Sequence, residues 1–282
     1  MSNHQPTLRR ALCAWIAAIS SAMLTAAESE KLDGFKDTPL LPDGKWHVHD
    51  PDRPQPRVVT PAENFSQGAA APSDAEVLFD GKDLAKWQTS RGQEATWKVQ
   101  DGYLETGRGG GLRTRGKWAD FQLHVEWAAP APPKGTGQSR GNSGILINGL
   151  YEVQVLDSYQ ARTYPDGQAG GIYGQVPPLV NASKPPGEWQ TYDVMFESPR
   201  WNDQGELVKK ASITVLHNGV VIHHRYEFMG ATDGISREVP WKTLSKYPPP
   251  HPPEVFIELQ DHNNPVRYRN IWIRTLGEYD KP

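Results

Sequence analysis

The chain has 282 residues, a formal net charge of −3 and a single cysteine. This charge provides no basic face for nucleic acid or an anionic lipid surface, so we expect neither as a partner. Its 26 glycines and 25 prolines make up about 18% of the residues, against about 12% on average, which favours many turns over long helices.

The N-terminus has the order of a secretory signal peptide. Two arginines precede an apolar segment, residues 11–24, and three small residues follow it. About 14 apolar residues are fewer than the roughly 20 of a membrane-spanning helix, so we expect cleavage and no membrane span. The sequence predicts a signal peptide over residues 1–27 and an exported protein, periplasmic or extracellular. Because Cys13 lies in this segment, we expect no disulfide, thiolate nucleophile or cysteine metal site in the mature chain.

Residues 28–74 form the next segment, which is rich in proline and charge and has no hydrophobic period. This composition predicts an extended arm. Within the arm, Trp46 is followed by two alternating histidines, His47 and His49. Two histidines alone are weak evidence for a metal site. The favoured interpretation is a solvated stretch that packs Trp46 on the domain surface, and the alternatives are a metal site or a segment that covers a functional site.

From Glu76 onward, short β-type runs alternate with turn residues. Asn218-Gly219 suits a type I′ hairpin turn, and Asp101-Gly102 is a second hairpin signal. Strands are expected at residues 77–79, 97–99, 103–105, 121–127, 144–147, 151–156, 192–196, 212–216, 220–223, 255–259 and 268–275. About ten strands without a helix predict one all-β domain over residues 75–278, a sandwich or jelly roll.

Polar residues cluster on the predicted strand at residues 151–156. Glu152 and Gln154 project from one face of this strand, while the valines that follow each of them enter the core. Asp157 falls on the opposite face unless a bulge at the end of the strand re-aims it. With the bulge, the spacing parallels retaining jelly-roll glucanases, which need two carboxylates at a suitable separation. Without the bulge it is an ordinary polar strand edge, and the motif alone does not decide between them.

A longer series of motifs extends through the predicted domain in order. It comprises VLFDGKDLAKW (77–87), WKVQDGYL (97–104), GNSGI (141–145), YEVQVLD (151–157), GIYG (171–174), KPPGEW (184–189), NG (218–219), IELQDH (257–262) and YRNI (268–271). The series resembles the 3-keto-disaccharide hydrolase family over about residues 76–276, essentially the whole predicted domain. The resemblance implies a concanavalin A-like jelly roll. The chain departs from the family pattern after His262, where Asn263 replaces the usual glycine.

The resemblance also implies a reaction, the cleavage of 3-keto-glycosides. A ketone at C3 acidifies the hydrogen at C2, so that the aglycone leaves C1 by elimination and water then adds to the enone. Such a site needs a base of near-neutral pKa, a group that stabilises the enolate oxygen and an acid for the leaving group. A partner oxidoreductase that produces the 3-keto sugar is implied as well.

The resemblance assigns Glu152, Asp157 and His262 as catalytic candidates. His262 is the candidate base because imidazole is half-neutral near pH 6.5, and a hydrogen-bonded turn residue is the alternative. Glu152 or Asp157 would act as the acid, or would hold a divalent cation on the C3 oxygen. The further candidates are Arg113, Arg115 and Lys184 for the C3 oxygen, Asn142, Gln154, Tyr173 and Gln260 for sugar hydroxyls, and Trp189 for stacking on a ring.

Two other functions stay open. A non-catalytic carbohydrate-binding module would use the same polar face, because jelly rolls also serve as lectins and a fold does not fix a function. A conventional retaining glucanase would use Glu152 and Asp157 as its carboxylate pair. All three functions predict a carbohydrate as the ligand.

Overall fold

The computed structural model describes Met1 and residues 33–107, 109–232 and 244–278. Apart from Met1, the predicted signal peptide lies outside the described residues. No helix in these ranges is long and apolar enough to span a membrane.

The described residues are almost entirely β-structure. The strands are β1 (Arg57–Val58), β2 (Glu76–Phe79), β3 (Trp87–Thr89), β4 (Lys98–Gln100), β5 (Tyr103–Glu105), β6 (Leu112–Thr114), β7 (Phe121–Ala128), β8 (Ser143–Ile147), β9 (Tyr151–Val155), β10 (Val180–Asn181), β11 (Gln190–Glu197), β12 (Arg200–Trp201), β13 (Leu207–Lys209), β14 (Ser212–His217), β15 (Val220–Glu227), β16 (Ile257–Leu259) and β17 (Arg267–Thr275). Single 3-10 turns lie at Gly137–Ser139 and Pro165–Gly167. The predicted all-β class is confirmed.

Two antiparallel sheets form the sandwich. The larger sheet has the order β15-β14-β11-β7-β17-β5-β4, with β2 also paired to β17. The smaller sheet has the order β3-β6-β16-β8-β9. Asn218 and Gly219 both have positive φ, 51° and 80°, as the predicted type I′ turn between β14 and β15 requires.

The core lies between the two sheets. Leu123 and Val125 of the larger sheet belong to one buried cluster with Ile145 and Val153 of the smaller sheet. Full burial of such side chains contributes about 1.5–3 kcal/mol each relative to exposure. Because alternate side chains of a strand point to opposite faces, this packing leaves the polar residues of both sheets on their outer faces.

The predicted arm packs on the sandwich from residue 33 onward. Val48, His49 and Asp50 are buried, and Trp46 is half-buried. The interpretation of this stretch as solvated is therefore wrong for residues 48–50. Further along the arm, β1 pairs in parallel with β10 of the domain.

A second part of the arm covers a charged cluster on the outer face of the larger sheet. The buried ring of His124 makes a 2.7 Å hydrogen bond with Asp193, and its other nitrogen lies 3.7 Å from Glu126. Ser66 of the arm donates a 2.7 Å bond to Asp193, and the Gly68 backbone amide donates a 2.5 Å bond to Glu126. The arm therefore helps to satisfy carboxylates that the sheet leaves buried.

These contacts shift the pKa values of the cluster in opposite directions. Burial disfavours the imidazolium of His124, but its hydrogen bond to Asp193 and the nearby Glu126 carboxylate outweigh burial and raise its pKa to about 8. Burial likewise disfavours the Glu126 carboxylate, but the nearby His124 ring and hydrogen bonds from Asn270, Gly68 and Arg269 lower its pKa to about 2. The cluster therefore holds a protonated histidine between two carboxylates at neutral pH.

This arrangement predicts a pH-dependent contribution to stability. The His124 pKa rises from 6.5 to about 8 on folding, so its contribution is fully present below pH 6.5 and is lost as the pH rises through 8. We expect the difference in free energy of unfolding between wild type and His124→Gln to shrink by about 1 kcal/mol from pH 7 to pH 9. Urea denaturation of both proteins measures this difference. Other histidines, such as His217, whose pKa burial lowers to about 3, contribute equally to both proteins, so their contributions cancel in the difference. A difference that is constant over this range would contradict a charged His124.

Candidate functional site

A polar patch formed by Glu152, Gln154, Glu258 and Gln260 lies on the outer face of the smaller sheet. The register places Glu152 of β9 and Glu258 of β16 on either side of Leu146, which lies on the strand between them, β8. Gln154 pairs with Gly144, and the backbone amide of Gln260 donates to the Gly144 carbonyl at 2.9 Å. The pairing brings four polar side chains from β9 and β16 to one face.

Gly144 forms the floor of this patch. A Cβ at this position would lie 2.4 Å from Oε1 of Glu152 and 3.2 Å from Oε1 of Gln260. The ends of these two side chains therefore converge above the glycine from opposite sides. The space that a side chain would fill is occupied by the functional groups themselves.

Three amide oxygens at this face are buried and accept no hydrogen bond among the described residues. They are Oδ1 of Asn142 and Oε1 of Gln154 and Gln260. The amide nitrogens fix two of these orientations, because Gln154 donates to Oε1 of Gln138 at 2.9 Å and Asn142 donates to the Gln138 carbonyl at 2.7 Å. The oxygens of Asn142 and Gln154 are thus left as acceptors, and all three were predicted to recognise hydroxyls.

The other predicted acid, Asp157, has a different environment from that of Glu152. The β8–β9 pairing contains no register shift and β9 ends at Val155, so the bulge expected near Leu156 is not found. The buried Asp157 carboxylate instead accepts a 2.7 Å bond from Nε of Arg140 and a 3.2 Å bond from the Tyr159 amide. Its charge is balanced by an arginine, and its catalytic role stays a prediction.

The predicted base, His262, lies in an exposed turn after β16. Asn264 donates to its carbonyl at 2.9 Å. Asn263, which replaces the family glycine, has φ 59°, a left-handed conformation that asparagine tolerates better than most residues. The substitution is therefore compatible with the same turn.

The remaining predicted residues divide between the patch and other surfaces. Arg113 pairs opposite Glu258 and beside the patch, and Tyr173 contacts β9. Arg115 forms an exposed ion pair with Glu94 at 3.1 Å. Lys184 instead lines a separate cavity of about 360 Å³ and donates to the arm at the Glu63 carbonyl. Trp189 packs against the guanidinium of Arg269 at 4.1 Å. These contacts of Arg115, Lys184 and Trp189 with other described residues lead away from the patch.

Sequence reasoning missed Glu258. Burial raises the pKa of its carboxyl, and the nearby Arg113 opposes that rise. The signal was present, because Glu258 and Gln260 alternate with the buried Ile257 and Leu259 as residues of one outer face do. The patch therefore carries a second carboxyl group besides Glu152.

The arm supplies a residue that sequence reasoning did not assign to the site. His49 lies against two tyrosines, with ring centroids 4.1 Å from Tyr164 and 4.7 Å from Tyr173. Its backbone amide and Nδ1 contact the two oxygens of the buried Asp166 at 2.9 and 3.1 Å. Of the three interpretations of the His47–His49 stretch, the one in which it covers a site agrees best with these contacts.

The described ranges contain no group of three or more histidine, cysteine or acidic residues placed to hold a metal ion. Asp157 already pairs with Arg140, and a divalent cation held by Glu152 or Asp157 stays a prediction.

Comparisons with known proteins identify similar sequences and structures. Residues 74–274 match the model of the 3-keto-alpha-glucoside-1,2-lyase-like domain. A 3-keto-disaccharide hydrolase of Bacteroides thetaiotaomicron is 26% identical, over 73% of this chain and 80% of the relative. A crystal structure from Parabacteroides distasonis, provisionally named a glycosyl hydrolase, is 42% identical with a TM-score of 0.69, over 79% of this chain and 93% of that chain. A second structure from the same organism, 20% identical with a TM-score of 0.50 over 72% of this chain and 94% of that chain, shares the fold.

The tight floor of the patch makes Gly144→Ala a sharp test of its geometry. The added methyl group must displace the Glu152 carboxylate, because 2.4 Å is shorter than any van der Waals contact. The clash is with the ends of flexible side chains rather than with backbone, so we expect the side chains to shift and Tm to change little. We expect a crystal structure of the variant to show Glu152 moved away from residue 144.

Gly277→Ala is the matched control, because nothing lies within 4 Å of its added Cβ. We expect its Tm and the position of Glu152 to be those of wild type. An unmoved Glu152 in Gly144→Ala would show that the carboxylate does not cover the glycine.

Proposed function

The chain belongs to the 3-keto-alpha-glucoside-1,2-lyase-like family, and we propose that it cleaves 3-keto-glycosides by elimination and rehydration. In this reaction a base removes the C2 proton, the aglycone leaves C1 and water adds to the enone. The broader assignment, a glycoside-acting enzyme, agrees with the names of its relatives. The ketone and the order of steps belong to the proposal.

One observation carries the proposal, the three buried amide oxygens of Asn142, Gln154 and Gln260 that have no partner among the described residues. A buried acceptor without a donor costs about 1–3 kcal/mol. Sugar hydroxyls are donors, and three of them would satisfy all three oxygens once these side chains turn toward a bound sugar. This supports a hydroxyl-rich ligand that lies across β8, β9 and the end of β16.

Glu152 is the acid in this proposal, because its carboxyl lies on the same face as the three acceptors. It would deliver a proton to the aglycone oxygen as the C1–O bond breaks. His262 remains the proposed base, placed two residues beyond Gln260 at the rim. Glu258, whose pKa burial raises, is a second carboxyl group on this face.

A carbohydrate-binding module is the second candidate, because the same three acceptors would bind a sugar without turnover. A retaining glucanase has less support, because Asp157 is bonded to Arg140 and does not face Glu152 as a partner carboxylate. The three functions differ in what happens at C2 of the sugar.

Reaction in heavy water distinguishes these functions. Elimination removes the C2 proton and rehydration returns one from solvent, so we expect deuterium at C2 of the 3-keto product, measured by NMR at early times. Glu152→Gln should lower turnover at least tenfold, which corresponds to about 1.4 kcal/mol of transition-state stabilisation. Matched ordinary glycosides should not be cleaved.

The keto sugar incubated without enzyme controls for spontaneous exchange beside the ketone. Product formed at full rate without enzyme-dependent deuterium would exclude elimination. Binding without any product would establish a binding module.

We also propose export, with cleavage near Ala27, and a partner oxidoreductase that oxidises the C3 hydroxyl of the sugar. The order of arginines, apolar segment and small residues at the N-terminus supports export. Mass spectrometry of protein from the native host should find a mature N-terminus close to residue 28. A mature pool that retains Met1 would contradict export.

A further inference from the structure

The contact between the arm and the domain includes a buried hydrogen-bonded pair, Asp166 and His49. Asp166 is 0% exposed, and its two oxygens face the backbone amide and Nδ1 of His49. His49 has φ 58°, a conformation that costs a residue with a side chain about 1–3 kcal/mol and persists only where its surroundings fix it. Both bonds to Asp166 provide that constraint, so the arm holds this imidazole in one orientation.

The His49 ring in turn packs on a pair of tyrosines. Its centroid lies 4.1 Å from that of Tyr164 and 4.7 Å from that of Tyr173. The two tyrosine hydroxyls share a hydrogen bond of 2.5 Å. In such a pair one hydroxyl donates to the other, which retains a proton for a further acceptor, and the first bond strengthens that second donation.

The tyrosine pair lies beside the polar patch, because the Tyr164 ring packs near Gln138, which accepts a hydrogen bond from Gln154. The backbone amide of Tyr173 faces the Glu152 carbonyl at 3.5 Å. Burial raises the pKa of Tyr164 well above its usual value, and Tyr173, Asp166 and Glu152 add to that rise. Tyr164 therefore keeps its proton at neutral pH.

The proposed reaction needs a donor at the C3 oxygen, and two of the cations expected there are engaged elsewhere. Arg115 pairs with Glu94, and Lys184 donates to the arm. Arg113 lies beside Glu258 and approaches the ring of Phe256 at 5.3 Å. The tyrosine pair is a neutral donor that can fill this role without a buried charge.

We propose that the N-terminal arm completes the active site: the Tyr164–Tyr173 hydroxyl pair stabilises the enolate oxygen at C3, and His49, fixed by Asp166, is the positioning residue that holds the pair. This inference rests on the proposed function. It assigns a role to residue 49, which lies outside the part of the chain that matches the family model, residues 74–274.

The hydroxyl pair donates hydrogen bonds and transfers no proton in the balanced reaction. The base takes the C2 proton, and the electrons of that C–H bond form the C2–C3 double bond and the C3 enolate oxygen. As the ketone re-forms, the electrons move to the C1–C2 bond and the C1–O bond to the aglycone breaks, with a proton from the acid. Water then adds its hydroxyl to C1 while C2 regains a proton, so the net change is hydrolysis.

Turnover of a 3-keto-glycoside by four variants of the full chain tests the proposal. Removing one oxyanion donor costs about 10²–10³ in kcat, so we expect losses of this size in Tyr173→Phe or Tyr164→Phe, with a smaller change in KM. His49→Asn keeps a donor near the position of Nδ1 for Asp166 but removes the ring that contacts both tyrosines. We expect it to lower kcat at least tenfold. His47→Asn is the matched control, because the His47 ring bonds to the Thr38 carbonyl, and its kcat should stay at the wild-type value.

The double variant His49→Asn/Tyr173→Phe separates positioning from a general structural role. If His49 acts through Tyr173, adding His49→Asn to Tyr173→Phe causes little further loss of kcat, whereas the two losses multiply if the effects are independent. Thermal unfolding of the wild type and of each variant reports any structural effect separately.

The outcomes also separate this inference from the proposed function. A wild type that does not cleave 3-keto-glycosides refutes the proposed function. An active wild type whose kcat is unchanged in both tyrosine variants, or multiplicative losses in the double variant, overturns the arm inference alone. If His49→Asn fails to fold, Asp166→Asn replaces it in the same cycle, and the tyrosine variants still decide the role of the hydroxyl pair.

Discussion

The packing of the two sheets against each other is the constraint on which the candidate site depends. Val153 and Val155 are fully buried between the sheets, and a strand alternates its side chains strictly. Burying these valines therefore fixes Glu152 and Gln154 on the outer face, because neither polar residue can change faces without exposing a valine. The glycine at position 144 then leaves the space in which Glu152 meets Gln260. The chemistry of the patch thus follows from the apolar core beneath it.

The arm is attached to the domain chiefly by satisfying buried charges. On the outer face of the larger sheet, Ser66 and Gly68 donate to Asp193 and Glu126. Beside the smaller sheet, His49 donates to Asp166. Breaking a buried pair by removing one partner typically costs about 3–5 kcal/mol, because a charge is left without compensation. The same segment therefore contributes to stability at one face and reaches the candidate site at the other.

The sequence predicted most of the fold because long strands repeat their pattern. The predicted strand at residues 121–127 covers all but the last residue of β7, and turn chemistry predicted the hairpin at Asn218. The strands β3 and β6 have three residues each, too few for alternation to distinguish them from loops.

Prediction of the site succeeded where strand geometry determined it and failed where tertiary contacts did. Glu152, Gln154 and Gln260 lie together because of local alternation and register. Trp189 packs against the guanidinium of Arg269, a tertiary contact that no local sequence pattern predicts. The burial of His49 depends on Asp166, which is 117 residues away in the chain. Local composition, which is rich in proline, could not reveal this contact and suggested a solvated stretch.

The acids of the patch lie differently from the carboxylate pair of a retaining glycosidase. Glu152 and Glu258 lie on strands separated by β8, with the side chain of Leu146 between them. Neighbouring strands are about 4.7–4.9 Å apart, which puts the Cα atoms of these two residues roughly 10 Å apart across the sheet. A carboxylate-pair mechanism would need the two side chains to lean toward each other over Leu146, because retaining glycosidases hold their two carboxyl groups about 5–5.5 Å apart. The proposed elimination requires no such pair, because the ketone rather than a nucleophilic carboxylate activates the sugar, and it uses a base, an acid and a donor to the enolate oxygen instead.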